Sequence, residues 1–72
     1  MDRYKIEVTF YHEICQDEPE PFIEDFDCLD IFDVLGYVDE VYIPKFIDNP
    51  LVKQIVVYDC INDNYPIIDL FF

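Results

Sequence analysis

Apolar and polar residues alternate over residues 3–11, which predicts a β-strand with one buried and one exposed face. Residues 51–61 are rich in Val and Ile and predict a central strand. A turn at residues 62–64 leads to residues 65–72, so these two strands are expected to form a hairpin. Pro66 lacks the N–H group that an interior strand donates, which predicts that the final strand lies at an edge of the sheet.

The middle of the chain has a weaker pattern. We predict a helix there, in one or two pieces over residues 22–36, after a loop at residues 16–21. Asp27 is the predicted N-cap of that helix. Gly36, the only glycine, is predicted to end it in the left-handed conformation. Residues 37–43 are assigned to a short strand, although their pattern does not separate a strand from a helix.

The predicted order of elements is β-α-β-β-β, or β-α-β-β if residues 37–43 do not form a strand. Such a chain folds as a small antiparallel or mixed sheet with one helical segment on one face, which is an α+β fold. The chain has 72 residues, of which 53% are hydrophobic, and this is enough for one domain spanning residues 1–72.

The charge of the chain is strongly one-sided, with 17 acidic residues, 4 basic residues and a net charge of −13. Residues 13–44 contain eleven carboxylates and no Lys or Arg. Large apolar residues lie between these acids, which predicts folded backbone with a dense negative surface rather than a disordered tail. Such a surface attracts basic proteins and repels nucleic acids and anionic membranes. Direct binding of nucleic acid is therefore not expected.

Metal and cofactor sites are not predicted. The pair Asp25 and Asp27 begins a calcium-loop pattern, but Leu29 and Asp30 stand where an acid and a glycine are needed. The three cysteines, Cys15, Cys28 and Cys60, have neither zinc-site nor disulfide-framework spacing, and reduced thiols are expected for them.

Catalysis is not predicted either. His12 lies three residues before Cys15 near the end of a strand, which is poor geometry for a nucleophile and its base. The sequence has no glycine-rich phosphate loop. Neither a signal peptide nor an apolar stretch long enough to span a bilayer is visible, so we expect the protein in the cytoplasm of a host cell.

The charge pattern predicts a surface that occupies a groove built for phosphates, because carboxylates accept the same contacts from Arg and Lys. The candidate partner-binding residues are Glu18, Glu24, Asp27, Asp30, Asp33, Asp39 and Glu40.

A short, acidic, aromatic-rich α+β chain of this kind resembles the small inhibitors encoded by phages and mobile elements, in composition and in its acidic segment at residues 13–40. These include anti-CRISPR proteins, anti-restriction proteins and uracil-DNA glycosylase inhibitors, many of which mimic DNA. The resemblance implies a non-catalytic inhibitor of a nucleic-acid-processing host defence protein, such as a CRISPR effector.

Two alternatives remain open at this point. One is an immunity protein or antitoxin that neutralises a basic toxin through the same charges. The other is a structural or adaptor module that assembles through a strand edge. Residues 67–72 are apolar on both faces of the last strand, so they are either buried or available for pairing in a homodimer.

Overall fold

The computed structural model describes residues 2–12, 17 and 19–72. It contains one antiparallel sheet of four strands in the spatial order β2-β1-β3-β4. The strands and helices have the following bounds: β1 Asp2–Phe10, β2 Phe22–Cys28, α1 Ile31–Tyr37, a π-helical turn Val38–Tyr42, α2 Ile43–Phe46, β3 Val52–Asp59 and β4 Tyr65–Phe71.

The first and the last two strands confirm the predictions from sequence. β1 and β3 are the two central strands, and β4 is an edge strand that begins with Tyr65 and Pro66. The β3–β4 hairpin closes through a hydrogen bond from the Tyr65 N–H to the Asn62 carbonyl at 3.1 Å. Asp63 and Asn64, between them, both have φ of 57°. Positive φ at two successive residues is the feature of hairpin turns whose twist matches that of the strands, and Asp and Asn tolerate it well.

The predicted helix over residues 22–36 is wrong in its first half, because Phe22–Cys28 is strand β2. Glu24 pairs with Ile6, and Phe26 pairs with Tyr4, so these side chains point to the helix-covered face of the sheet. Because Glu24 is an acid at a position that points inward, the segment lacks the alternation of apolar and polar residues that identifies a strand. The predicted order β-α-β-β-β is consequently replaced by β-β-α-β-β.

The helix begins later than predicted, and its N-cap is Asp30 rather than Asp27. The Asp30 carboxylate accepts hydrogen bonds from the backbone N–H groups of Phe32 and Asp33, at 2.9 and 3.3 Å. These are two of the donors that the first helical turn leaves without a partner. Gly36 does not end the helix: it lies inside α1 and does not have positive φ.

The helical segment continues through residues 37–43, so the assignment of these residues to a strand is wrong. Val34, Val38, Tyr42 and Phe46 recur every four residues and are all buried. A spacing of four fits a helix that contains a wide turn, since a regular α-helix repeats every 3.6 residues. The π-helical turn ends just before Pro44, whose ring clashes with the carbonyl four residues back in a regular α-helix.

The core lies between the sheet and this helical segment, which packs on one face only. Ile6, Val8, Val34, Ile55 and Val57 have no exposed surface. The architecture is therefore α+β with a small antiparallel sheet, as the sequence predicts. Helix α1 packs beside β2, so the described acids of β2 and of the helical segment lie on the same side of the molecule.

Candidate functional site

A groove runs between the end of β2 and helix α1, and carboxylates line it. Asp27 comes from β2, Asp33 from the first turn of α1, and Glu40 from the π-helical turn. Phe26 and Tyr37 also line the groove, and their rings stack at 4.5 Å between centroids. We call this feature the acidic groove.

Two large apolar side chains stand at the rim of the acidic groove. Leu29 is 80% exposed and Phe32 is 75% exposed. Side chains of this size are usually buried, and exposed apolar groups grouped beside polar ones are typical of protein-binding surfaces. Leu29 and Phe32 were not among the residues predicted from sequence, because a longer helix would have turned them towards the core.

Asp27 is the groove carboxylate that has a basic partner. The Arg3 guanidinium donates a hydrogen bond from Nε to Asp27 Oδ1 at 2.8 Å, across the β1–β2 pair. This hydrogen bond holds the pKa of Asp27 below its usual range. Asp27 is therefore the predicted contact residue that is already partly neutralised.

Asp30 and Asp33 accept hydrogen bonds at the start of α1, and both also belong to the acidic surface. Asp30 caps α1, as described above. Asp33 accepts a hydrogen bond from the Leu29 N–H at 3.3 Å. Both carboxylates lie near the N-terminal end of the helix, where its dipole favours negative charge. Their side chains are exposed, so capping leaves them accessible to a partner.

Asp39 and Glu40 are exposed residues of the π-helical turn. Within the described part of the chain, neither carboxylate accepts a hydrogen bond or forms an ion pair. Of the predicted contact residues that the structure describes, these two make no side-chain interaction that supports the fold.

Glu24 lies on the opposite side of β2 from Asp27 and is half-buried against the helical segment. Its carboxylate accepts hydrogen bonds from the Tyr37 hydroxyl, at 3.0 and 3.2 Å, and from the Tyr42 hydroxyl. The hydrogen bond to Glu24 raises the pKa of Tyr37. Burial, followed by the bond to Glu24, raises the pKa of Tyr42.

The predicted contact residues are thus only partly brought together. Asp33 and Glu40 share the acidic groove with Asp27, and Asp30 and Asp39 lie on the same helical segment. Glu24 faces the interior, and Glu18 lies outside the described residues. A row of Asp27, Asp30 and Asp33 at helical spacing does not form, because Asp27 belongs to a strand.

Within the described part of the chain, the basic side chains form no ion pair with the helical acids. Arg3 and Lys5 project from the uncovered face of β1, and the Lys5 ammonium lies 5.0 Å from the Tyr58 ring centroid. The Lys45 ammonium lies over Phe22 and Phe46, at 5.4 and 5.3 Å from the ring centroids. Asp33, Asp39 and Glu40 therefore have no ion-pair partner among the described residues, and Lys45 is the base that shares their helical segment.

Other chemistry has little support in the described residues. No group of three His, Cys, Asp or Glu side chains among them is placed to hold a metal ion. Burial raises the pKa of the Cys28 thiol, which keeps it protonated and poorly nucleophilic at neutral pH. His12 is exposed, and the Cys15 considered with it lies outside the described residues. Among the helices of the described segments, none has the length and apolar character needed to cross a membrane.

Comparison with protein-family models, with curated proteins and with solved structures finds no match to this chain.

Proposed function

We propose that this chain is a non-catalytic inhibitor, encoded by a phage or mobile element, that binds a basic nucleic-acid-processing protein of its host. The acidic groove and the adjoining Asp39 occupy the nucleic-acid-binding cleft of that protein, such as the cleft of a CRISPR effector. Inhibition results from steric and electrostatic exclusion of DNA or RNA.

The observation that carries this proposal is the arrangement of charge on the helical segment. Asp33 and Glu40 are seven residues apart, which corresponds to a rise of about 10 Å along a helix. Asp39 adds a third charge, and none of these three carboxylates forms an ion pair within the described residues, since Arg3 pairs with Asp27. A partner that binds the phosphate backbone with Arg and Lys finds the same kind of acceptor in these carboxylates.

The decisive test compares two double charge reversals. Asp39→Lys with Glu40→Lys changes the proposed contact surface. Asp25→Lys with Asp48→Lys makes the same change in net charge at exposed positions outside the groove. Host proteins captured on the immobilised chain at low salt are identified, and affinity for the captured protein is then measured. We expect the first variant to lose at least about tenfold in affinity, or ~1.4 kcal/mol, and the second to lose much less.

Two results would contradict the proposal. Equal losses in the two variants would mean that net charge alone drives capture. Binding that does not weaken as the salt concentration rises would remove the electrostatic basis of the interaction.

The exposed pair Leu29 and Phe32 favours a second candidate, an immunity protein or antitoxin that neutralises a basic nuclease. A cleft that binds phosphates gives an apolar pair no partner, whereas an apolar pocket outside the active site buries it. Competition distinguishes the two candidates. Added DNA displaces a DNA mimic from its target, but it does not displace an inhibitor bound away from the nucleic-acid site.

A further inference from the structure

The outer edge of β4 has backbone groups that no strand of the described residues pairs with. The Phe72 N–H donates to the Lys53 carbonyl at 3.1 Å, which directs the backbone of Phe72 towards β3. Backbone direction alternates along a strand, so Asp69 and Phe71 direct their N–H and C=O groups away from β3. In the described part of the chain, no strand pairs with this edge. An extended strand can therefore add to the sheet here.

The two edges of the sheet differ in charge. β2, at one edge, has two exposed carboxylates, Asp25 and Asp27. Charged residues are a common protection against the pairing of sheet edges. β4, at the other edge, has one acid, Asp69, which accepts a hydrogen bond from Gln54 at 2.5 Å. For a chain of net charge −13, β4 is the edge at which another negatively charged chain meets the least repulsion.

The surface beside this edge is apolar. Tyr65 and Phe71 are 67% and 72% exposed, and Phe72 is exposed as well. Because an aromatic side chain has roughly 150–250 Å² of surface, two copies offer on the order of 1,000 Å² for burial. That is the area expected of a small specific interface.

We propose that β4 pairs antiparallel with β4 of a second copy of this chain, which joins two four-stranded sheets into one of eight strands. Antiparallel pairing of a strand with itself is two-fold symmetric, so each copy supplies the groups that the other lacks. Registers centred on Ile68 or Leu70 place Asp69 opposite Ile67 or Phe71. The two Asp69 carboxylates then do not face each other.

This inference goes beyond the proposed function and does not depend on the acidic groove. The two associations respond to salt in opposite ways. Two chains of equal charge repel each other, so the dimer becomes more stable as salt screens that repulsion. Binding of a basic partner weakens under the same conditions.

The test is sedimentation of the full chain over a range of concentrations, at about 0.05 M and about 0.5 M salt. We expect a reversible monomer–dimer equilibrium with more dimer at high salt. Phe71→Asp should reduce the association constant at least tenfold. Phe32→Asp is a matched control, since Phe32 is exposed to a similar extent, 75% against 72%, but lies on α1. The proposal would be overturned if the chain stays monomeric in high salt or if the two substitutions have equal effects.

Amide hydrogen exchange gives an independent measurement that requires no variant. Protection of the Asp69 and Phe71 amides should rise with protein concentration as the dimer forms. The amides of Asp25 and Asp27, which face the other edge, should not change. Concentration-dependent protection at β2 instead of β4 would show that the wrong edge was assigned.

Discussion

The Tyr42 hydroxyl donates a hydrogen bond to the carboxylate of Glu24, and this bond joins the helical segment to the inner face of β2. Tyr37 donates to the same carboxylate from one helical turn earlier. Hydrogen bonds to a charged group are stronger than those between neutral groups. Glu24 therefore holds the helix against the sheet, whereas its neighbours in the acidic segment face solvent.

Replacing Glu24 with Gln should lower the free energy of unfolding by about 1–2 kcal/mol. The amide group of Gln presents one acceptor oxygen to two hydroxyl donors, and its charge is lost. Glu40→Gln is the matched control, because the same chemical change at an exposed position usually alters stability by less than ~0.5 kcal/mol. Urea unfolding of both variants measures the difference. Similar midpoints would show that Glu24 contributes no more than a surface acid.

Stability should begin to fall at about pH 8.5, where the unfolded chain releases the Cys28 proton that burial retains in the native state, and should fall more steeply above about pH 10. Contact with Glu24 raises the pKa of Tyr37, and burial raises the pKa of Tyr42. A raised pKa means that the native state keeps a proton which the unfolded chain releases near pH 10. The stabilisation is therefore complete below that pH and is lost as the pH rises. Burial raises the pKa of Tyr4 and Tyr58 in the same direction.

Unfolding measured as a function of pH, with phenolate absorbance recorded in parallel, checks this expectation. The double variant Tyr37→Phe and Tyr42→Phe should show a shallower loss of stability above pH 10. Tyr65→Phe is the control, since Tyr65 is 67% exposed. An unchanged slope in the double variant would exclude Tyr37 and Tyr42 as the source of the pH dependence.

Substitutions at Asp30 should separate helix capping from surface charge. Asp30→Ala removes both, and loss of such a cap lowers stability by about 1 kcal/mol. Asp30→Ser removes the charge but keeps an oxygen that accepts hydrogen bonds from the N–H groups of Phe32 and Asp33. Asp30→Ser should therefore retain most of the stability while it weakens binding to a basic partner. If both substitutions destabilise equally, the side chain of Asp30 does not act as a cap.

Strands β1, β3 and β4 could be predicted because each is recognised from local sequence. β1 has an uninterrupted alternation, β3 is rich in β-branched residues, and the turn residues between β3 and β4 are Asn and Asp. Each of these signals lies within about ten residues of chain. The edge position of β4 followed from Pro66 alone.

β2 could not be predicted because its inward acid depends on distant partners. Tyr37 and Tyr42 are 13 and 18 residues beyond Glu24, and their hydroxyls accommodate its charge only after the helix packs on the sheet. From its neighbours in the sequence alone, Glu24 is predicted to be a surface acid like the others. The start of the helix was misplaced for a related reason: Asp27 and Asp30 are both good N-caps, and only pairing of Asp27 with Arg3 across β1 and β2 decides between them.

The sequence predicts that the candidate site is an acidic surface, but it does not predict how the residues of that surface are arranged. The sequence indicates negative charge over residues 13–44, and the described helical segment places Asp33, Asp39 and Glu40 on its exposed side. The exposed positions of Leu29 and Phe32 could not be predicted, because they depend on where β2 ends and α1 begins.

Substitution of Gly36 tests whether the helical segment continues through this residue. A left-handed residue at the end of a helix is destabilised by any L side chain, whereas a glycine inside a helix is less stable than alanine by roughly 0.5–1 kcal/mol. Gly36 lies within α1 without positive φ, and a Cβ atom built on it meets no atom within 4 Å. Gly36→Ala should therefore raise the free energy of unfolding by about 0.5–1 kcal/mol.

A chemically synthesised chain with D-alanine at position 36 is the matched control, because a D-residue favours the left-handed conformation. Urea unfolding of the two chains should give shifts of opposite sign, with the L-alanine chain more stable and the D-alanine chain less stable than the parent. The reverse order would mean that the helix ends at Gly36. Residues 37–43 would then not continue it, and Asp39 and Glu40 would no longer lie on the same helical segment as Asp33.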